Sequence, residues 1–149
     1  MKKGIDYTGI TVVFFCHDGD GEYLLAKRSN SCRDEHGRWD PGGGALEVGH
    51  SVEETLSKEI LEEYGTNVID FEFLGYRDVH REHNGEKTHW IALDFKVQVD
   101  RSKVKNNEPH KFDEIGWFKI NELPQPLHSQ MGRYLEKYRL LLNNFMSTE

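Results

Sequence analysis

GALEVGHSVEETLSKEILEEYGT, residues 44–66, is the stretch on which the reading of this chain turns. The residues before it, Trp39-Asp40-Pro41-Gly42-Gly43, break any regular structure. Ser51 then stands where a helix N-cap belongs, with Glu54 three residues on, the spacing of a capping box. Val52, Leu56, Ile60 and Tyr64 recur every four residues and make one apolar face. Gly65 fits the left-handed residue that ends a helix. The stretch therefore predicts a helix over Ser51–Tyr64 that leaves a glycine-rich loop.

The helix carries Glu59, Glu62 and Glu63 at i, i+3 and i+4, which places them on one side. They cover roughly a 100° arc bordering the apolar face. Glu54 and Lys58 fall on the more exposed side. A Glu-rich helix face is by default a solvated one, and a glycine cluster by default a turn. Three adjacent carboxylates near a helix C-terminus repel one another and oppose the helix dipole. A bound Mg²⁺ offsets both costs, because hard cations take oxygen ligands.

Working outward, Gly9–Phe15 reads as an apolar strand and Tyr23–Ala26 as a second, ending in Lys27-Arg28. Asp18-Gly19-Asp20-Gly21 is the turn between them. Ser29–Arg38 is a polar loop. Val68–His80 and Thr88–Val99 form an antiparallel pair around the Asn84-Gly85 turn signal. Asp100–Pro109 is a polar loop, and Ile115–Phe118 a short strand. Leu127–Phe145 reads as a closing amphipathic helix with Leu127, Met131, Leu135, Tyr138 and Leu142 on one side. Strands before and after the main helix predict an α+β chain with a mixed sheet between helices.

The chain has 149 residues, which fits one compact domain over 1–149. Hydrophobic residues make up 36% and charged residues 30%, a globular balance. There is no repeat, no low-complexity tract and no apolar run long enough for a membrane span. The first residues lack the apolar stretch of a signal peptide. Two cysteines, Cys16 and Cys32, make neither a metal spacing nor a disulfide framework. A reducing cytoplasm is the expected location. The net charge of −7 argues against a bulk nucleic-acid partner. An acidic protein also repels an anionic phosphate substrate unless a cation intervenes.

Gly44–Thr66 resembles the 23-residue Nudix box of the MutT-like hydrolases. Gly44, Glu59, Ile60, Glu62, Glu63 and Gly65 stand at matching positions. Trp39-Asp40-Pro41-Gly42-Gly43 is similar to the approach to that box. Ile10–Arg28, Glu114–Phe118 and Glu122-Leu123-Pro124 also look Nudix-like, so the resemblance covers nearly the whole chain. It implies the Nudix α/β/α sandwich. Three positions depart: His50 replaces the first glutamate of the box, Lys58 its arginine, and Thr66 its last aliphatic residue. Lys58 keeps a charge but lacks the fork that arginine offers a carboxylate. His50 is open to a metal-proximal, proton-carrying or substrate-contacting role, or to that of a plain loop residue.

The resemblance implies metal-dependent hydrolysis of a phosphoanhydride, with Mg²⁺ and possible use of Mn²⁺. Glu59 and Glu63 would be principal ligands, with Glu62 a ligand or water-bridged partner and a backbone carbonyl of the Gly42–Gly44 turn beside them. Glu59 or Glu62 is the preferred base, with His50 as a further catalytic candidate. The later loop offers Glu108, His110 and Glu114, with His110 where relatives carry a second glutamate. Lys27 and Arg28 are candidates to hold phosphate. Trp39, His89, Trp90 and Phe118 are candidates to stack on a base, although strand aromatics usually belong to the core.

Asn107–Lys111 and Leu123–Leu127 are similar to the branch that cleaves nucleoside triphosphates. The downstream marks of the ADP-ribose and diadenosine polyphosphate branches are absent at Arg81, Glu82, His83 and Asn84. The expected partner is a small nucleotide, and the expected state a monomer or homodimer. ADP-ribose, a nucleotide sugar or another organic diphosphate is the alternative substrate. A weakly active nucleotide-binding module is the alternative class.

Overall fold

The computed structural model describes residues 1–145. The chain runs β1 (Gly9–His17), β2 (Glu22–Arg28), β3 (Trp39–Asp40), β4 (Gly43–Ala45), α1 (Val52–Tyr64), β5 (Val68–His83), β6 (Glu86–Val99), β7 (Phe112–Lys119) and α2 (Met131–Leu142). The strands make one sheet in the order β3-β2-β1-β6-β5, with β4 added to β1 and β7 to β2. β1 and β6 are parallel, and the other pairs antiparallel. This is the mixed sheet expected from the order of elements.

Each face of the sheet carries a core. Val12, Phe14 and Cys16 of β1 pack with Leu56, Ile60 and Tyr64 of α1. Phe15 points the other way and packs with Met131, Tyr134 and Tyr138 of α2. The period of two along β1 therefore builds both layers of an α/β/α sandwich.

The main helix forms as its local chemistry predicts. Ser51 accepts a hydrogen bond from the Glu54 amide at 3.0 Å. Gly65 closes the helix at φ 67°. Asn84 and Gly85 both take positive φ, 52° and 78°, so the β5–β6 turn is of the hairpin-favoured kind. The strands of that hairpin run longer than the sequence pattern indicated, because exposed polar residues still pair through their backbones.

The closing helix is shorter than Leu127–Phe145. Leu127 lies outside it and bridges to Trp39. Pro124 and Pro126 lack the amide donors that a continued helix would need. The helix begins at Met131 with no side-chain cap bond at Gln130. Tyr134, absent from the predicted apolar side, is buried there.

Candidate active site

α1 lies against the sheet so that its three carboxylates grade from core to solvent. Glu63 is 2% exposed. Glu59 is half-buried, and Glu62 is exposed with Lys58 at 4.0 Å. Neighbouring helix positions differ by about 100°, which is enough to send Glu63 inward and Glu62 outward. Among the described residues, Glu63 Oε2 is the one buried side-chain nitrogen or oxygen without a hydrogen-bond partner.

The glycine loop fits around these carboxylates. A Cβ on Gly44 would overlap the Glu59 carboxyl group. Gly42 sits at φ 125°, where a Cβ would meet the Phe14 ring at 2.5 Å and Glu63 Oε1 at 3.2 Å. Only glycine admits the carboxylates so close to the backbone. The loop is held by named bonds. Tyr64 Oη donates to the Pro41 carbonyl at 2.7 Å. The Phe14 amide donates to Gly42 O at 3.1 Å. Thr11 Oγ1 donates to Gly44 O at 2.9 Å, which engages one lone pair of that carbonyl.

Burial pushes Glu63 well above the usual carboxylate range, and the positive charge of Lys111 offsets part of the rise. Burial and then the Glu62 charge raise Glu59. Asp40 is pushed up to about 6 by burial, with Arg28 opposing the shift. Asp40 has Arg28 as a partner, whereas among the described residues Glu59 and Glu63 make no salt bridge. A divalent cation fits that deficit, and the unpartnered Glu63 oxygen is the hard donor it takes.

Beside the loop is a cavity of about 340 Å³ lined in part by Gly42–Gly44, Asp40, Arg28, Arg77, Arg81 and Trp90. Arg77, Val79 and Arg81 alternate along β5, and Thr88, Trp90 and Ala92 along β6, so one face of this hairpin forms a wall. The arginines already have partners. Arg28 reaches Asp40 and Asp34, each at 3.2 Å. Arg81 reaches Asp34 at 3.3 Å. Arg77 forks onto Asp94 at 2.7 and 2.9 Å.

The sequence-based candidates separate on this framework. Gly44, Glu59 and Glu63 come together, with Glu62 at their outer edge. Arg28 lines the cavity. Lys27 is outside the lining and lies opposite Glu114 and Trp39 in the sheet. Trp39 is 7% exposed and packs edge-on against Phe118 at 5.3 Å. That contact puts Trp39 in the core beneath α2 and packs the partly buried Phe118 against it, a correction to their expected stacking role. His89 is on the opposite face of β6 from the cavity, stacked on His80, so it too is corrected. Its neighbour Trp90 is the aromatic that lines the cavity.

Glu108 pairs with His110 and Lys111, each at 3.7 Å, and its charge raises both Glu59 and Glu63. His110 itself is 70% exposed. His50 is exposed in the loop before α1, where its amide donates to Glu47 O. The structure adds Asp40, Arg77, Arg81 and Lys111, which were not singled out. The alternation of Arg77, Val79 and Arg81 was the available signal for one shared strand face.

The NUDIX domain family model matches residues 7–138, and the chain belongs to that family. It is a MutT-like Nudix hydrolase. It is 29% identical over 120 residues to the nucleoside triphosphatase NudI of Escherichia coli O17:K52:H18, covering 76% of this chain and 84% of that protein. The MutT NUDIX hydrolase from Burkholderia pseudomallei superposes with a TM-score of 0.77 at 29% identity, covering 88% of this chain and 98% of that one. The NUDIX domain of Shewanella oneidensis NrtR, complexed with ADP ribose, shares the fold at a TM-score of 0.71 and 19% identity. It covers 91% of this chain and 89% of its own. No helix among the described residues is long and apolar enough to cross a membrane.

Proposed function

We propose that this chain hydrolyses a nucleoside triphosphate to a nucleoside monophosphate and pyrophosphate, using Mg²⁺ with Mn²⁺ as a substitute. The buried, unpartnered Glu63 Oε2 beside a glycine loop and an arginine-lined cavity carries this reading. The similarity to NudI favours a triphosphate substrate.

Glu59 and Glu63 would hold the ion, with Glu62 and the Gly44 backbone as further ligands. When bound, the ion neutralises phosphate charge and lowers the pKa of the attacking water. Glu59 or Glu62 would accept the proton of the attacking water at a carboxylate oxygen. Arg28 and Arg81 grip phosphate oxygens after exchanging their Asp34 partner for substrate. Trp90 offers its ring to the base, which gives broad base tolerance unless a polar group reads an edge. The acidic chain relies on the cation to admit the polyphosphate. Residues 1–149 act as one domain, as a monomer or homodimer in the cytoplasm.

The test is hydrolysis of a panel of triphosphates and ADP-ribose in ¹⁸O-water, with every product resolved. Nucleoside monophosphate plus pyrophosphate is the expected outcome. Orthophosphate release, or cleavage of ADP-ribose with triphosphates inert, would refute the assignment.

A further inference from the structure

The β5–β6 hairpin has two chemically different faces. One lines the cavity. The other brings Asp78, His80 and His89 together on the outside. His80 and His89 are direct cross-strand partners in the ladder, and their rings stack at 4.1 Å with planes 25° apart. His89 Nε2 is 2.8 Å from Asp78 Oδ1. One ligand atom from each of the three residues lies within 4.8 Å of the others.

We infer that Asp78, His80 and His89 form a second metal site, selective for a borderline transition ion such as Zn²⁺. It is independent of the carboxylate helix. Two ligands about 2.1 Å from a tetrahedral Zn²⁺ stand about 3.4 Å apart. The Asp78–His89 pair, at 2.8 Å, lies just inside that spacing, and the other ligand atoms are within 4.8 Å, so rotation of surface side chains can complete the set. The strands fix the spacing, because His80 and His89 are in register and the His89 amide is tied to Gly4 O at 2.8 Å.

Ligand chemistry separates the two sites. Two imidazoles and one carboxylate suit Zn²⁺ and its neighbours and serve Mg²⁺ poorly. Glu59, Glu62 and Glu63 offer only oxygen, which suits Mg²⁺. Three protein ligands leave a fourth position for water or an incoming anion. Asp78 and His80 are exposed and His89 is half-buried, so an ion reaches them directly from solvent.

The experiment is a Co²⁺ titration of the full chain in excess Mg²⁺, read by the intense visible absorption of tetrahedral cobalt. It is run on the wild type, Glu63→Gln and His80→Ala. One equivalent of Co²⁺, displaceable by Zn²⁺, should bind the wild type and Glu63→Gln alike. His80→Ala should weaken it by more than about tenfold, since even the loss of an outer-shell partner costs that much. His80 is a surface residue, and an unchanged circular dichroism spectrum would confirm that this variant folds. Absence of the absorption from the wild type would overturn the proposal. So would a signal that survives His80→Ala and vanishes in Glu63→Gln, because the ion would then belong to the carboxylate helix.

Discussion

Asp94 and Glu63 are both buried carboxylates, 0% and 2% exposed, on opposite faces of one sheet. Their surroundings differ completely. Asp94 accepts both arms of the Arg77 fork and the Tyr138 hydroxyl at 2.6 Å. Glu63 Oε2 accepts nothing. A buried charge costs several kcal/mol unless it is paired and hydrogen-bonded. Asp94 is paired within the chain, where it ties α2 to the sheet and holds Arg77 at the cavity wall. Glu63 keeps an oxygen for something the chain does not supply. The first arrangement suits structure, and the second suits binding a cation.

The largest effect expected from this contrast is on stability. Asp94→Ala should cost about 3–5 kcal/mol, because it leaves the Arg77 charge buried and unpaired. Urea denaturation reads the change, and a loss within about 0.5 kcal/mol, the range of ordinary surface substitutions, would remove the structural half of the comparison. Glu63→Gln should do the reverse. Turnover should fall by on the order of 10²-fold, the scale of losing one preorganised electrostatic group. Metal-free stability should hold or rise, because an amide avoids the buried charge. Steady-state kinetics with Mg²⁺ and melting in EDTA test both parts, and full activity in this variant or in excess EDTA would sink the metal assignment.

Tyr138→Phe sharpens the contrast at smaller scale. It removes one of three bonds to Asp94 and should cost about 1.5–3 kcal/mol, the range for a hydrogen bond to a charged group. KM and kcat should stay near wild type if Asp94 serves structure. The smallest expected effect is on pH dependence. Burial holds the folded Glu63 carboxyl above its unfolded value. In metal-free protein, the unfolded chain therefore releases this proton at lower pH than the folded one. Its contribution to stability falls as pH rises above the unfolded value of about 4.3. Melting temperature in EDTA should accordingly fall more steeply, or rise less steeply, with pH in the wild type than in Glu63→Gln. Glu59 and Asp40 add to the slope in the same direction, whereas His17 and His128, both lowered to about 4 by burial, oppose it. An identical slope in the variant would show that Glu63 is not the titrating group.

Much of α1 was legible from neighbouring residues. Ser51, Glu54 and Gly65 carry cap chemistry that depends on positions within four residues of each other. The β5–β6 turn was legible for the same reason, since Asn-Gly accepts positive φ at both positions. The closing helix was less legible. Leu127 fits its apolar period, but a bridge to Trp39, distant in sequence, draws it out of the helix. Among the aromatics, Trp90 and His89 are adjacent and differ only in strand face. Which face borders the cavity depends on the β1–β6 register and the position of α2.

The sequence by itself determined the glycine loop, the capped helix and the row of glutamates, because spacing within a helix or turn sets which residues are neighbours. The net charge of −7 is likewise a property of the sequence alone. Only the tertiary structure decided that Glu63 is buried without a partner while Asp94 is buried with three hydrogen bonds. Local periodicity places Glu63 beside an apolar face and goes no further. The difference comes from what crosses the space opposite each. Arg77 and Tyr138 reach Asp94 from another strand and another helix. Opposite Glu63 lies a glycine backbone with no side chain to offer.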